Sequence, residues 1–197
     1  RLKDLEKQLG RRPVKIDNSS LYQLSRKYFG TWNKMMKESG YKCKEFQQPI
    51  IPDKITNDLS YFLGLVSTDG HIQFTKDLGH YKIMVHTSEI EEVELIKRLI
   101  LLLFGYKASV YPRKTGFKNS RLNYEVYVYS KSLAYFLNSL GIPFGAKSLT
   151  LRLPKIFLQD ERYIWDYIRG VFDGDGSIIF SGHNYVFKIS SGSLNFL

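Results

Sequence analysis

The sequence predicts an α+β fold in which a small all-α module precedes one complete αββαββα unit and the opening of a second. Two observations carry that prediction. The stretch "YFLGLVSTDGHI" (Tyr61 to Ile72) is echoed by "YIRGVFDGDGSI" (Tyr167 to Ile178), with Asp69 and Asp175 separated by 106 positions, which marks an internal repeat. Between the two copies, apolar residues alternate between helical and strand spacing. A hydrophobic content of 43% and an aromatic content of 15% over 197 residues give the chain enough to bury to offset its conformational entropy.

Residues 1–46 read as three short helices. "RLKDLEKQLG" closes at Gly10, Asn18 or Ser19 caps "SLYQLSRKYF" before Gly30, and Thr31 caps "WNKMMKESG" before Gly40. Leu21, Leu24, Tyr28, Trp32 and Met36 are the expected core, with Arg11, Arg12, Lys15, Arg26, Lys27, Lys34 and Lys37 outside. Residues 47–55 include two prolines in "QQPIIPDK" and read as a linker. The first full repeat, 56–157, starts with a helix capped by Thr56 or Asn57 and stopped at Gly70. Strands "HIQFT" and "YKIMVHTS" follow, turned by "KDLGH"; then the amphipathic helix "EIEEVELIKRLILLLFG", acidic in its first turns as the helix dipole prefers; then strands "KASVYPRK" and "LNYEVYVYS"; then the helix "KSLAYFLNSLG". Residues 158–197 restart the order with "DERYIWDYIRGVFDGDG" and the strand pair in "SIIFSGHNYVFKIS". About 85 residues separate Asp69 from Pro154 and 22 follow Asp175. The expectation is therefore an incomplete second repeat that continues for roughly 60 residues in the natural product.

The formal charge is +10, and residues 1–49 hold 12 Lys and Arg against 5 Asp and Glu. That concentration fits a polyanionic partner such as nucleic acid, and equally a solvated, solubilising surface. One cysteine, Cys43, leaves no intrachain disulfide and no cysteine cluster for zinc, which fits a reducing, intracellular setting. The apolar run around Leu95 to Gly105 is interrupted by Lys97 and Arg98 and is too short to cross a bilayer, so no membrane partner is expected.

On a helix, Gly64 and Thr68 share one face, as do Gly170 and Gly174. Small residues there let two backbones approach closely, so that the helices pack near their last turns and bring Asp69 and Asp175 side by side. Each carboxylate then lies at the negative pole of its helix and near a like charge, an arrangement that a hard divalent cation compensates. Helix termination by Asp-Gly explains each Asp separately but leaves the matched small-residue faces without a reason.

"FLGLVSTDG" and "IRGVFDGDG" resemble the two helices of a single-chain LAGLIDADG homing endonuclease, a likeness that runs from about Asp58 onward. "LGRRP", "SSLY" and "FGTWNKMMKESGY", between Leu5 and Tyr41, are similar to the homing-endonuclease-associated helical repeat, a DNA-binding module. These resemblances imply saddle-shaped antiparallel sheets astride the DNA major groove and metal-dependent cutting of both strands. By position, they imply Asp69 and Asp175 as ligands for Mg2+ or Mn2+, with any backbone ligand near Thr68 unassigned. Lys147 in "GAKSLTLRLP" resembles the basic residue that stabilises developing charge or orients the water; as a bare sequence feature it is also a loop lysine. Ser67 replaces the acid that the second motif carries at Asp173, and the polar residue supporting the water falls near Thr87 or Ser88 and near Ser191.

Alternation along the strands sends Ile72, Phe74, Ile83, Val85, Ala108, Val110, Val126 and Val128 inward. His71, Gln73, Thr75, Lys82, Met84, His86, Ser109, Tyr111, Arg113, Asn123, Glu125, Tyr127 and Tyr129 then face out. Polar members of that set suit base edges, and Arg113, Lys114 and Lys118 suit phosphates. The DNA-binding set is His71, Gln73, Thr75, Lys82, His86, Ser109, Tyr111, Arg113, Asn123 and Tyr127, with Arg11, Arg12 and Lys34 from the N-terminal module. His71, His80, His86 and His183 lack zinc spacing and read as surface polar residues. The leading expectation is a site-specific endonuclease of double-stranded DNA, monomeric when full-length, with self-association and weak or no cutting open to the shortened chain. A cleavage-deficient relative, as an RNA maturase or a transcription regulator, is the second reading. An intein is a third, for which the chain shows neither a starting Cys nor a final His-Asn.

Overall fold

The computed structural model describes residues 1–43, 48–75, 79–114, 122–182 and 184–196. The chain divides into two compact units, Arg1–Phe46 and Gln47–Leu197. In the first, α1 (Leu2–Leu9), α2 (Ser19–Phe29) and α3 (Trp32–Glu38) begin where sequence places their caps: Asn18 accepts from the Leu21 N–H and Thr31 from the Lys34 N–H. Met35, Met36 and Leu2 form the centre, packed by Leu21, Phe29, Trp32, Tyr41 and Cys43. Tyr28, expected inside, is 68% exposed. Leu21, Ser25 and Phe29 recur at a spacing of four and take the inner face of α2, which turns Tyr28 outward beneath the Lys27 ammonium, 5.3 Å from its ring centroid. The expected exterior cations are all exposed.

The second unit runs α4 (Asn57–Thr68), β1 (Gly70–Thr75), β2 (His80–Thr87), α5 (Ile90–Phe104), β3 (Ser109–Lys114), β4 (Leu122–Tyr129) and α6 (Lys131–Ser139). A short α7 (Ile156–Gln159) and a 3-10 turn (Glu161–Tyr163) lead into α8 (Ile164–Asp175), β5 (Gly176–Ser181) and β6 (Asn184–Ile189). Thr56 and Ser130 cap α4 and α6 through their hydroxyls. The helix read as starting near Asp160 begins at Ile164, because the Asp160 carboxylate accepts from the Arg162 N–H and caps the 3-10 turn instead. Residues 76–78 of the first hairpin turn lie outside the described residues. Ile50, from the expected linker, donates its N–H to the Phe104 carbonyl at 2.9 Å, so that stretch is tied to the end of α5.

The first four strands form one antiparallel sheet in the order β1-β2-β4-β3. Its inner face carries Ile72, Ile83, Val85, Val126 and Val128, which pack with Leu59, Phe62, Leu63, Val66, Val93, Ile96, Phe104, Leu133 and Leu137 of α4, α5 and α6 into one core. Two inward expectations fail. Phe74 is 45% and Val110 37% exposed; both sit on edge strands, where the helical layer no longer covers the sheet. Phe74 stacks on Tyr81 with ring centroids 4.6 Å apart. β5 and β6 form a separate two-stranded sheet whose Ile178, Phe180, Tyr185 and Phe187 are all more than half exposed. Among the described residues no helix is long and apolar enough to cross a membrane.

α4 and α8 lie backbone to backbone, and the reason is steric. A Cβ built on Gly64 would overlap the Tyr167 carbonyl and stand 2.8 Å from Gly170 Cα, while one on Gly170 would overlap the Tyr61 carbonyl. Because each obstacle is main chain, no side-chain rotation relieves the clash. Gly64→Ala should therefore force the helices apart and cost about 1–3 kcal/mol or more, whereas Gly79→Ala, where an added Cβ meets nothing, should cost about 1–2 kcal/mol for its left-handed backbone alone. Thermal unfolding of the two variants against the parent measures the difference.

Candidate functional site

The repeat offset of 106 is expressed as reciprocal contacts across the α4–α8 seam. Tyr61 Oη donates to Asp173 Oδ2 at 2.7 Å, and its counterpart Tyr167 Oη to Ser67 Oγ at 2.9 Å. Ser60 Oγ donates to the Tyr163 carbonyl at 2.6 Å, and Asn57 Nδ2 to Asp166 Oδ2. Ser67 is thus a tyrosine acceptor in a position that is 2% exposed, whereas Asp173 does the same work in an exposed one. A hydroxyl suits the buried end and a carboxylate the wet end.

At the end of the seam Asp69 is the C-cap of α4, its N–H bonded to the Leu65 carbonyl and its own carbonyl accepting from the His86 N–H at 3.1 Å. The loop from helix to sheet is thereby pinned at both ends. A Cβ on Gly174 would overlap Thr68 and come within 2.8 Å of Asp69 Oδ2, so the Asp69 carboxylate rests against the last turn of α8, one residue before Asp175. Burial, then Asp175, then Glu92 push Asp69 up to about 6, with Lys147 opposing. Asp69 is half-buried and Asp175 exposed.

Lys147 is not a free loop lysine. Gly145 N–H donates to the Ile72 carbonyl at 2.9 Å, and the Thr150 and Leu151 N–H groups both close onto the Lys147 carbonyl. The segment is held beside β1 and aims Nζ at the carbonyls of Ser67, at 2.8 Å, and Thr68. An ammonium there neutralises the negative pole of α4. Burial nonetheless pushes Lys147 down to about 8, against the pull of Asp175 and Asp69. Glu92 is the functional neighbour that sequence reasoning missed: an acid in the first turn of α5 reads as dipole compensation, and only the fold brings it near Asp69. The expected water-supporting positions are otherwise engaged. Thr87 donates to Glu92, Ser88 bonds Glu89 at 3.1 Å, and Ser191 accepts from the Ser193 N–H.

Strand register places the expected outward residues on one face. Gln73 pairs with Lys82 and Lys82 with Tyr129; His71, Met84, Tyr127 and Ser109 form the next row; His86, Glu125 and Tyr111 another; Asn123 pairs with Arg113. Gln73, Ser109, Tyr111, Arg113 and Tyr129 are exposed, and His71, Thr75, Lys82, His86, Asn123 and Tyr127 half-buried. Met84 and Glu125 are buried, at 5% and 6%, because they sit on the two central strands and larger neighbours close over them. Glu125 forms an ion pair with Lys82, whose ammonium lies 4.4 Å from the Tyr127 ring centroid. Asn123 Oδ1 is buried without a hydrogen-bond partner. A shallow hollow of about 630 Å³, with Lys82, Tyr111, Pro112, Arg113, Glu125 and Tyr127 around it, opens on this face. Lys118 and His183 lie outside the described residues, as does the side chain of Lys114. Of the expected cations in the N-terminal unit, Lys34 is exposed, Arg11 is committed to Asp17, and Arg12 to the Lys42 carbonyl.

Residues 56–141 match the family model described as the LAGLIDADG-like domain. Among curated proteins, the DNA-directed RNA polymerase subunit Rpo1C of Methanocaldococcus jannaschii is 28% identical over 71% of this chain and 15% of its own length. An uncharacterized protein of the same organism is 27% identical over 69% of this chain and 48% of its own length. The chain thus spans less than half of each of these relatives. Among solved structures, mesophilic variants of the homing endonuclease I-DmoI align with a TM-score of 0.44 at 19% identity, over 61% of this chain and 62% of theirs. I-DmoI in complex with DNA and Mn gives 0.43 at 19%, over 61% and 63%. The homing endonuclease I-WcaI bound to its DNA recognition sequence gives 0.43 at 15%, over 72% and 62%.

An acid whose folded pKa is about 6 against an ordinary 3.8 holds its proton more tightly when folded. Its contribution favours the native state below the lower value and is lost as pH rises through the upper one. In chelator, Asp69→Asn should therefore stabilise the protein by about 1–2 kcal/mol at mildly alkaline pH, with the gain vanishing in acid below about pH 4. Melting temperatures of parent and variant across that range measure it.

Proposed function

We propose that this chain, through its LAGLIDADG-like domain, is the recognising and cutting part of a site-specific, metal-dependent endonuclease of double-stranded DNA. One observation carries the reading. The Asp69 carboxylate rests against the last turn of the helix that ends in Asp175, with Lys147 beside both, and neither carboxylate accepts a hydrogen bond from any described residue.

The donor chemistry fits Mg2+ or Mn2+. Asp69 and Asp175 are hard oxygen donors whose mutual repulsion helps to hold the Asp69 proton, and a dication is the natural replacement for that proton. Among the described residues no group of three or more His, Cys, Asp and Glu surrounds a metal position. Two carboxylates from the chain leave the other places to water and to phosphate oxygens, the pattern magnesium favours. When bound, such an ion polarises a phosphodiester and lowers the pKa of a water.

The chain's own groups supply the rest. Asp69 and Asp175 would hold the ion at the crossing, where a Cβ on Gly64 or Gly170 would meet main chain of the opposite helix. Lys147, fixed by two carbonyls at the end of α4, offers an ammonium to negative charge developing on the phosphate. Gln73, Thr75, Ser109, Tyr111, Arg113 and Asn123 present donors and acceptors to base edges and phosphates, joined by His71, Lys82, His86 and Tyr127.

A plasmid library selected for cleavage by the protein in magnesium should yield one long site. On that site, Asp69→Asn and Asp175→Asn should each slow cutting by about a hundredfold or more while leaving DNA affinity in chelator unchanged. Cutting that persists in both variants removes the roles assigned to these residues.

A further inference from the structure

The cations of the N-terminal unit are not equivalent. Arg11 grips Asp17 with two hydrogen bonds of 2.9 and 2.8 Å, and Arg12 reaches the Lys42 carbonyl at 2.8 Å and Cys43 Sγ at 3.3 Å. Both side chains hold their own unit together. Lys15 and Arg26 make no such commitment to any described residue, and both are exposed. They line a single cleft of about 450 Å³ together with Tyr22, Gly30, Thr31, Trp32 and Asn33. Tyr22 and Arg26 stand one turn apart on α2 and so share a face. The Tyr22 and Trp32 rings meet at 6.4 Å and 51°.

Two free cations beside a tilted aromatic pair make a surface that is positive at its edge and apolar on its floor. A sugar-phosphate backbone has the complementary pattern, anionic oxygens alternating with the apolar faces of deoxyribose. An acidic peptide would satisfy the cations but leave the indole without an apolar match.

We propose that this cleft is where the N-terminal unit grips the backbone of duplex DNA, with Lys15 and Arg26 flanking a phosphate and Trp32 packed against the sugar. The proposal rests on the DNA-binding reading above and replaces Arg11 and Arg12 as the contact residues.

The test uses the whole chain with Trp165→Phe, which leaves Trp32 as the remaining indole, since the sequence has two. A labelled duplex of arbitrary sequence is titrated in chelator over a range of salt, with DNA anisotropy and Trp32 emission read together. Lys15→Ala with Arg26→Ala should weaken binding about tenfold at physiological salt and lower the slope of log affinity against log salt by about 0.9–1.8, one or two phosphates. The charge-matched pair Lys3→Ala with Lys7→Ala should leave the slope nearly unchanged. Trp32 emission should respond to DNA in the parent.

Equal losses in the two double variants, or a silent Trp32 on saturation with DNA, overturns the cleft while leaving the nuclease reading intact. Tighter binding of polyglutamate than of duplex at equal salt overturns it in favour of an acidic protein. A parent that fails to bind duplex at any salt overturns both readings together.

Discussion

The approach of α4 to α8 is the constraint from which the rest of the second unit follows. Main-chain atoms of one helix occupy the space where a Cβ of the other would stand, so the crossing is this close only because Gly64 and Gly170 carry none. Tyr61 and Tyr167 then reach across to bond acceptors on the opposite helix, and these bonds fix rotation as the glycines fix distance. Helix ends positioned in this way are a rigid mount, which a functional constellation requires more than it requires any single strong contact.

Electrostatics at that mount are deliberately unbalanced. Two carboxylates and the pole of α4 gather negative charge at one point, and Lys147 returns one positive charge from a segment anchored to β1. Burial first, and then the nearby carboxylates of Asp175 and Glu92, raise the Asp69 pKa. Such crowding costs stability in the free protein, and the cation proposed for this site would recover that cost on binding.

Much of this was legible from residue order. The doubled motif, with small residues four apart before each Asp-Gly, located the seam, and alternation along the strands put Gln73, Tyr111, Arg113 and Asn123 on one face. What could not be read depended on neighbours distant in the chain. Met84 and Glu125 have outward parity yet are buried, because parity names a side of the sheet and says nothing of what covers it. Tyr28 went outward because Ser25 and Phe29 together define the inner stripe of α2 better than any large aromatic does. Glu92 and the cleft of Lys15 and Arg26 were hidden for another reason: a charge advertises its sign in sequence but not whether a partner has already taken it. Ser67 looked like a defect of the repeat until Tyr167 was found bonded to it in a place too dry for a carboxylate.

The Lys82–Glu125 pair, set into the open sheet beside Tyr127, gives that face a threshold. A lysine already satisfied gains little from a passing ligand, and to engage one it must leave behind a carboxylate enclosed by protein. Only a contact rich enough to compensate the abandoned acid completes the exchange. If this face reads DNA as proposed, discrimination by Lys82 would operate through the cost of the alternative, and poorly matched surfaces would leave the pair closed and slide past.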